Sequence, residues 1–232
     1  MITTEIVEFF KRELETRKNN EEAEKMESYM KHIQSYLGVK TPSRIQIYKN
    51  FKKKFSHVRT SINTQDFQSL IQSLWNQEYR EYRYVAIFLI EYFNQHIKFE
   101  QIEFFENLII KGAWWDTTDS FHKIFATILL DEPKKMSEKM MEWINSSQLW
   151  LRRSSLLVQL SLKEKTNETL LKSVIIPQMK DKEFFIKKAI GWALREYSKT
   201  NPDWVYSFIN IHKEKLSKLS KREGSKYLKV IP

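Results

Sequence analysis

Trp114-Trp115-Asp116-Thr117-Thr118-Asp119 is the densest chemical cluster of a chain that is otherwise strongly basic. Asp119 also occupies a repeated slot. Five helix-length segments can be laid over one another at steps of roughly 35 residues, and at one aligned position they carry Arg83, Asp119, Arg153, Lys188 and Glu223. In that series Asp119 has a base on either side, and Trp192 follows Lys188 by one helical turn, on the same face. A carboxylate held among cations and indoles can stabilise a developing positive charge and orient an attacking water, so the cluster points to a functional site.

Other chemistries find less support. The five histidines show no metal-ligand spacing, and His122, three residues after Asp119, reads as a helix-surface contact. With no cysteine, thiolate metal sites, disulfides and cysteine nucleophiles are excluded, which is compatible with a reducing compartment. No glycine-rich phosphate loop or dinucleotide fingerprint occurs, which counts against a nucleotide cofactor and phosphoryl transfer. Neither a metal nor a cofactor is expected.

The 232 residues include 39 Lys plus Arg against 29 Asp plus Glu, a formal charge of +10. A surface of that sign attracts polyanions, and nucleic acid is the first candidate partner, although scattered lysines also serve simply as a solvated face. The run Lys52-Lys53-Lys54 is open to both readings. Met1-Ile2-Thr3-Thr4-Glu5 lacks the basic and then apolar order of a secretory signal, and the most apolar stretch, Tyr84 to Phe93, is about half a membrane span and is interrupted by Glu91. The expectation is a soluble intracellular protein.

With only 4 Gly and 5 Pro, and with Leu, Ile and Phe recurring at three- and four-residue spacings, the chain reads as all-α. Helix starts are expected at Thr41-Pro42 and Asn201-Pro202, where a capping residue precedes Pro, with a weaker start at Asp181 and a turn entering a helix near Glu21. The aligned windows each open on an apolar anchor, Tyr79, Trp115, Leu149, Phe184 or Leu219, and continue as an apolar helix. Between them, residues 99–110, 134–144 and 167–179 form second, amphipathic helices. Helix pairs at this period stack into an α-solenoid of HEAT-like repeats, here one domain over residues 1–232, whose concave groove is lined by the repeated basic slot.

Individual positions carry competing readings. Trp115 is either a repeat anchor buried between helices or a wall of the site, and Trp192 either an aromatic platform or ordinary packing. Asp116 reads as a helix cap or a partner of the helix dipole. Arg152 and Arg153 differ in direction by about 100° on a helix, and the repeat register selects Arg153 for the groove, leaving Arg152 as a surface charge.

The motifs Tyr29-Met30-Lys31, Leu37-Gly38-Val39-Lys40-Thr41-Pro42, Leu74-Trp75, Trp114-Trp115-Asp116-Thr117-Thr118-Asp119, Trp150-Leu151-Arg152-Arg153, Phe184-Phe185-Ile186-Lys187-Lys188-Ala189-Ile190-Gly191-Trp192, Leu194-Arg195-Glu196-Tyr197 and Leu219-Ser220-Lys221-Arg222-Glu223 follow one another along nearly the whole chain. In this order they resemble the AlkD-type alkylpurine DNA glycosylases, helical-repeat proteins of bacterial DNA alkylation repair. The resemblance implies hydrolysis of the N-glycosidic bond of cationic alkylated purines, chiefly 7-methylguanine and 3-methyladenine, in duplex DNA. It places the family's acid on Asp119, its flanking indoles on Trp115 and Trp192 and its groove arginine on Arg153. It further implies a monomer of the bacterial cytoplasm, associated with the nucleoid, that works without a snug pocket for the damaged base. Lys40 stands where a close relative carries Gln, and Thr118 where Val or Ser is common. The expected DNA contacts are Tyr29, Lys40, Thr41, Arg44, Arg83 and Lys188.

The residues accord with that chemistry. An alkylated purine already bears positive charge and leaves readily, and the sugar it leaves becomes oxocarbenium-like. Asp119 would stabilise that cation and orient water, Trp115 and Trp192 would hold the deoxyribose, and Arg153 would contact a neighbouring phosphate. Two alternatives on the same scaffold are a non-catalytic binder of DNA structure and a protein-binding helical scaffold.

Overall fold

The computed structural model describes residues 2–229, which form two compact units, one extending to Ile97 and the other beginning at Lys98. Among the described residues all regular structure is helical, as the spacing of apolar residues predicts.

The first unit contains α1 (Ile2–Glu15), α2 (Asn20–Tyr29), α3 (Thr41–Lys54), α4 (Thr64–Trp75) and α5 (Glu81–Tyr92). Its core is aromatic. Phe9 and Phe10 of α1, Phe51 of α3 and Phe55 just after it meet with ring centroids 5.0–6.2 Å apart, and Tyr48 stacks on Phe88 at 4.0 Å, bringing α3 onto α5. Asn19 caps α2 by accepting from the Glu22 amide at 3.0 Å, so this helix begins at Asn20, beside the expected Glu21. The start at Thr41-Pro42 is found, but the residue in the capping position is Lys40, and its side chain makes no capping hydrogen bond.

The segment before α3 is held from beneath by a carboxylate. Glu81 is completely buried and accepts from the amides of Leu37, Gly38 and Val39 at 3.0, 2.9 and 3.0 Å. Backbone donors removed from water need such partners. Gly38 adopts φ +81°, and a Cβ there would stand 2.0 Å from the Asn19 carbonyl oxygen and 2.7 Å from the Ala23 nitrogen. Both contacts are with backbone, which has little room to yield. Gly38→Ala is therefore expected to destabilise the protein by about 3 kcal/mol or more, read in a denaturant titration.

The second unit contains α6 (Ile102–Lys111), α7 (Trp115–Ser120), α8 (His122–Asp131), α9 (Pro133–Ile144), α10 (Leu149–Leu157), α11 (Glu168–Gln178), α12 (Phe184–Ser198), α13 (Pro202–Ile211) and α14 (Lys218–Gly224). It is a two-layer stack of HEAT-like pairs. In one layer α7, α10, α12 and α14 pack in succession, and in the other α9 packs on α11, with α9 and α13 covering α10 and α12. The anchors Trp115, Leu149 and Phe184 are the first residues of α7, α10 and α12, and Leu219 is the second of α14. The expected second helices coincide with α6, α9 and α11. Asn201 caps α13 as expected, accepting from the Trp204 amide at 3.1 Å, whereas the residue preceding α12 is Glu183 and Asp181 acts two residues earlier by accepting from the Glu183 amide at 2.8 Å.

Candidate active site

Residues one repeat apart in the slot meet as ion pairs. Arg153 on α10 donates through Nε and Nη2 to Oδ1 and Oδ2 of Asp119 on α7, both at 2.7 Å. This is the parallel two-point geometry that a guanidinium and a carboxylate favour. The next two slot residues pair in the same way, with Lys188 Nζ on α12 placed 3.2 Å from Oε1 of Glu223 on α14. The slot charges of this unit thus neutralise one another along the stack. That pairing was not evident from reading the slot as a row of cations.

The Asp119–Arg153 pair lies against an aromatic wall. Arg153 Nη1 donates to the Phe185 carbonyl at 2.5 Å, and its guanidinium lies 5.8 Å from the Phe185 ring centre. Phe185 packs on Trp150 at 5.0 Å and on Trp114 at 5.5 Å. The side chains of Arg153 and Asp119 retain only 5% and 15% of their exposure. Burial pushes the Asp119 carboxyl above its ordinary value, and the hydrogen bonds and charge of Arg153 oppose that shift without cancelling it.

Asp119 stands in the last turn of the short helix α7, which Trp114 precedes without a side-chain cap. Asp116 lies in the first turn, the dipole position, and is not the capping residue. His122 directs Nδ1 at the Asp119 main-chain carbonyl, 2.7 Å away, so its contact is with the backbone and not the carboxylate. Arg152 is more than a surface charge: with its side chain 17% exposed, it donates to Asp181 Oδ2 at 3.1 Å and to the carbonyls of Ser146 and Ser147. Trp115 and Trp192 are both half-buried. Trp192 and His122 line the same cavity, of about 630 Å³.

On α14, burial opposes the charge on Glu223, but Lys188, Arg195 and Arg222 outweigh it and hold the carboxyl below its ordinary value. This cluster depends on close approach at Gly191, the residue before Trp192. A Cβ at position 191 would stand 2.6 Å from the Glu223 Cβ and 3.1 Å from the Ser220 carbonyl oxygen. Gly191→Ala is expected to push α14 off α12 at a cost of about 1–3 kcal/mol, read as a lowered Tm, and to alter tryptophan emission through Trp192.

The remaining residues expected to touch DNA lie in the first unit. Tyr29 is 72% exposed, and the Lys40 side chain is 57% exposed beside Glu22, to which it pairs at 2.7 Å. Arg44 donates to the Val39 carbonyl at 2.6 Å and to Thr41 Oγ1 at 3.0 Å, and lies over the Tyr84 ring. Arg83 donates to the Trp75 carbonyl at 3.3 Å, with its guanidinium 5.7 Å from the Trp75 ring centre. Sequence reasoning missed the Phe185 carbonyl, the Glu81 support and the Glu223 partner. Of these only Glu223 left a signal, its place in the slot.

Among the described residues no group of three His, Asp or Glu side chains is arranged to hold a metal ion, and no helix is long and apolar enough to cross a membrane. Stacked helix pairs with a carboxylate gripped between the first helices of successive repeats define a HEAT-like helical-repeat protein with a polar site between them. The chain belongs to the DNA alkylation repair enzyme family, whose model it matches over residues 10–228. It is similar to the solved structure of a predicted DNA alkylation repair enzyme from Enterococcus faecalis, with 38% identity, a TM-score of 0.83, and coverage of 92% of this chain and 97% of that one. Smu.31 from Streptococcus mutans UA159 shares the fold at 21% identity and a TM-score of 0.61, covering 80% of this chain and 94% of that one. AlkD2 from Streptococcus mutans shares it at 22% identity and a TM-score of 0.60, covering 78% and 90% respectively. No curated protein matches the chain.

Proposed function

We propose that this chain is a DNA N-glycosylase that removes cationic alkylated purines, 7-methylguanine and 3-methyladenine among them, from duplex DNA. The observation that carries the reading is the Asp119 carboxylate, held by two hydrogen bonds from a nearly buried arginine while 15% of its side chain stays exposed. Such a group is fixed before the substrate arrives, so it needs no reorganisation when positive charge develops opposite it.

In the proposed reaction the bond between the purine nitrogen and C1′ of the deoxyribose breaks, and its electron pair neutralises the purine cation. Positive charge passes to the sugar, where Asp119 faces it. A water oxygen then bonds to C1′ and loses its proton, leaving an abasic site and a free base. Trp115 and Trp192 confine the sugar. Arg153 acts as a positioning residue that holds the carboxylate, a role its burial favours over direct contact with a phosphate. Tyr29, Lys40, Thr41, Arg44, Arg83 and Lys188 supply contacts along the DNA backbone, and these give affinity that weakens with salt. The protein acts as a monomer without a cofactor.

The test is release of 7-methylguanine from methylated duplex DNA, with uracil-containing duplex in parallel. Release of the cationic lesion but not of the neutral base is expected. If methylated DNA is bound in a salt-sensitive way with no release, the chain is a DNA-structure binder. Efficient release of uracil would contradict the mechanism.

A further inference from the structure

The run Lys52-Lys53-Lys54 closes α3, and side chains of consecutive helical residues leave in directions about 100° apart, so the three lysines do not act as one patch. The structure gives each a different surrounding. Lys54 turns to α1, where its Nζ lies 3.6 Å from Oε1 of Glu5 and 5.8 Å from the Phe9 ring centre. Lys53 is exposed, with no ion pair or ring contact among the described residues. Lys52 lies over the ring of Phe88 on α5, 5.5 Å from its centre.

Lys52 belongs to a longer seam. Arg44, Tyr48 and Lys52 follow one another at four-residue steps along α3, each beside the last on the helix surface. Tyr84, Phe88 and Tyr92 form the facing row at the same steps along α5. The two rows match in order. The Arg44 guanidinium lies 4.6 Å from the Tyr84 ring centre, Tyr48 stacks on Phe88 beside Lys52, and Arg59, shortly after α3, lies 5.3 Å from the Tyr92 ring centre. Three successive aromatic rings of α5 therefore each carry a cation.

A ring face attracts a cation and holds its long side chain near one geometry. The main chain of Arg59 is fixed as well, its carbonyl accepting from Gln95 Nε2 at 2.6 Å. Lys52 and Arg59 nevertheless remain exposed, and among the described residues neither pairs with an acid, the exposed Glu91 of α5 included. Such a cation suits a phosphate: little side-chain freedom is lost when the anion docks, and no ion pair has to be broken. The spacing suits a polymer better than a single anion. Arg44 and Lys52 stand about 12 Å apart along the helix axis, whereas phosphates of one DNA strand advance by roughly 3.4 Å, so the two cations reach different phosphates.

We propose that Lys52 and Arg59 bind backbone phosphates of duplex DNA, extending the nucleic-acid surface of the first unit past Arg44, and that Lys53 and Lys54 take no part. This rests on the DNA-binding part of the function proposed above and not on the glycosylase chemistry.

The test is titration of a labelled, undamaged duplex with the full chain, read by fluorescence anisotropy across salt concentrations. Lys52→Gln, Lys53→Gln, Lys54→Gln, Arg59→Gln and Lys52→Arg are compared with the wild type, and thermal melts establish that each is folded. Removing one phosphate contact makes the plot of log K against log salt less steep by about 0.9. That loss is expected in Lys52→Gln and in Arg59→Gln, and about 1.8 when the two are combined. Lys53→Gln, Lys54→Gln and Lys52→Arg should keep the wild-type slope. A wild-type slope in either Lys52→Gln or Arg59→Gln overturns the proposal, as does a wild type that does not bind the duplex. An equal loss from all three lysines also overturns it, because the attraction would then come from diffuse charge. Release of 7-methylguanine from methylated duplex is followed on the same preparations. The expected slopes without release by the wild type would refute the glycosylase reading alone, and release with unchanged slopes in the variants would refute the ridge alone.

Discussion

Asp119→Asn is expected to slow the release of 7-methylguanine by about 10²–10³-fold or more, the loss that follows removal of one preorganised electrostatic group from a transition state. Asparagine keeps the size and one acceptor, so Arg153 retains a partner and the stack keeps its form. What disappears is the negative charge opposite the developing sugar cation. Binding to undamaged DNA, measured across salt, should keep its slope, because no phosphate-binding cation is removed. Single-turnover release and DNA affinity are to be measured on the same preparation, with spontaneous depurination subtracted. A variant as fast as the wild type would remove Asp119 from the chemical step, and a variant that loses DNA binding in equal proportion would make its role one of binding only.

Arg153→Met should have the largest effect on stability. The Arg153 side chain is 5% exposed, and replacing it leaves the Asp119 carboxylate buried with its principal partner gone and removes the donor that ties α10 to the Phe185 carbonyl. Breaking a buried pair from one side costs about 3–5 kcal/mol. For a chain of this size that corresponds to a fall in Tm on the order of 10 °C. Arg153→Lys restores the charge but not the two-point grip and should recover only part of the loss.

The same variant carries a signature in pH that simple destabilisation does not predict. Burial raises the Asp119 carboxyl above the usual carboxylate value, Arg153 works in the opposite direction, and the ionised form is the one that acts in the proposed reaction. Wild-type activity should therefore fall as pH drops through that raised value, with an acid limb above that of an exposed aspartate. Removing Arg153 removes the lowering influence and should move the limb further upward. An acid limb that stays in place in Arg153→Met, at temperatures where the variant is folded, would separate the pair from the rate.

The sequence by itself determined the class of element, the repeat and most helix starts. These depend on local rules: apolar residues at three- and four-residue spacing, Pro after a capping residue, and an apolar anchor at the head of each window. Asp119 was also legible, because an acid in a basic slot beside paired tryptophans conflicts with its surroundings. Only the tertiary structure decided what the slot residues do to each other. Arg153 meets Asp119, and Lys188 meets Glu223, because helices one repeat apart lie side by side at ion-pairing distance. The same contact brings the Phe185 carbonyl to Arg153 and places the Trp114, Trp150 and Phe185 rings together. A main-chain oxygen has no identity in a sequence, and a cavity has no residue of its own. Glu81 shows the limit most clearly, since its three donors lie more than forty residues away along the chain and are made its partners by packing alone.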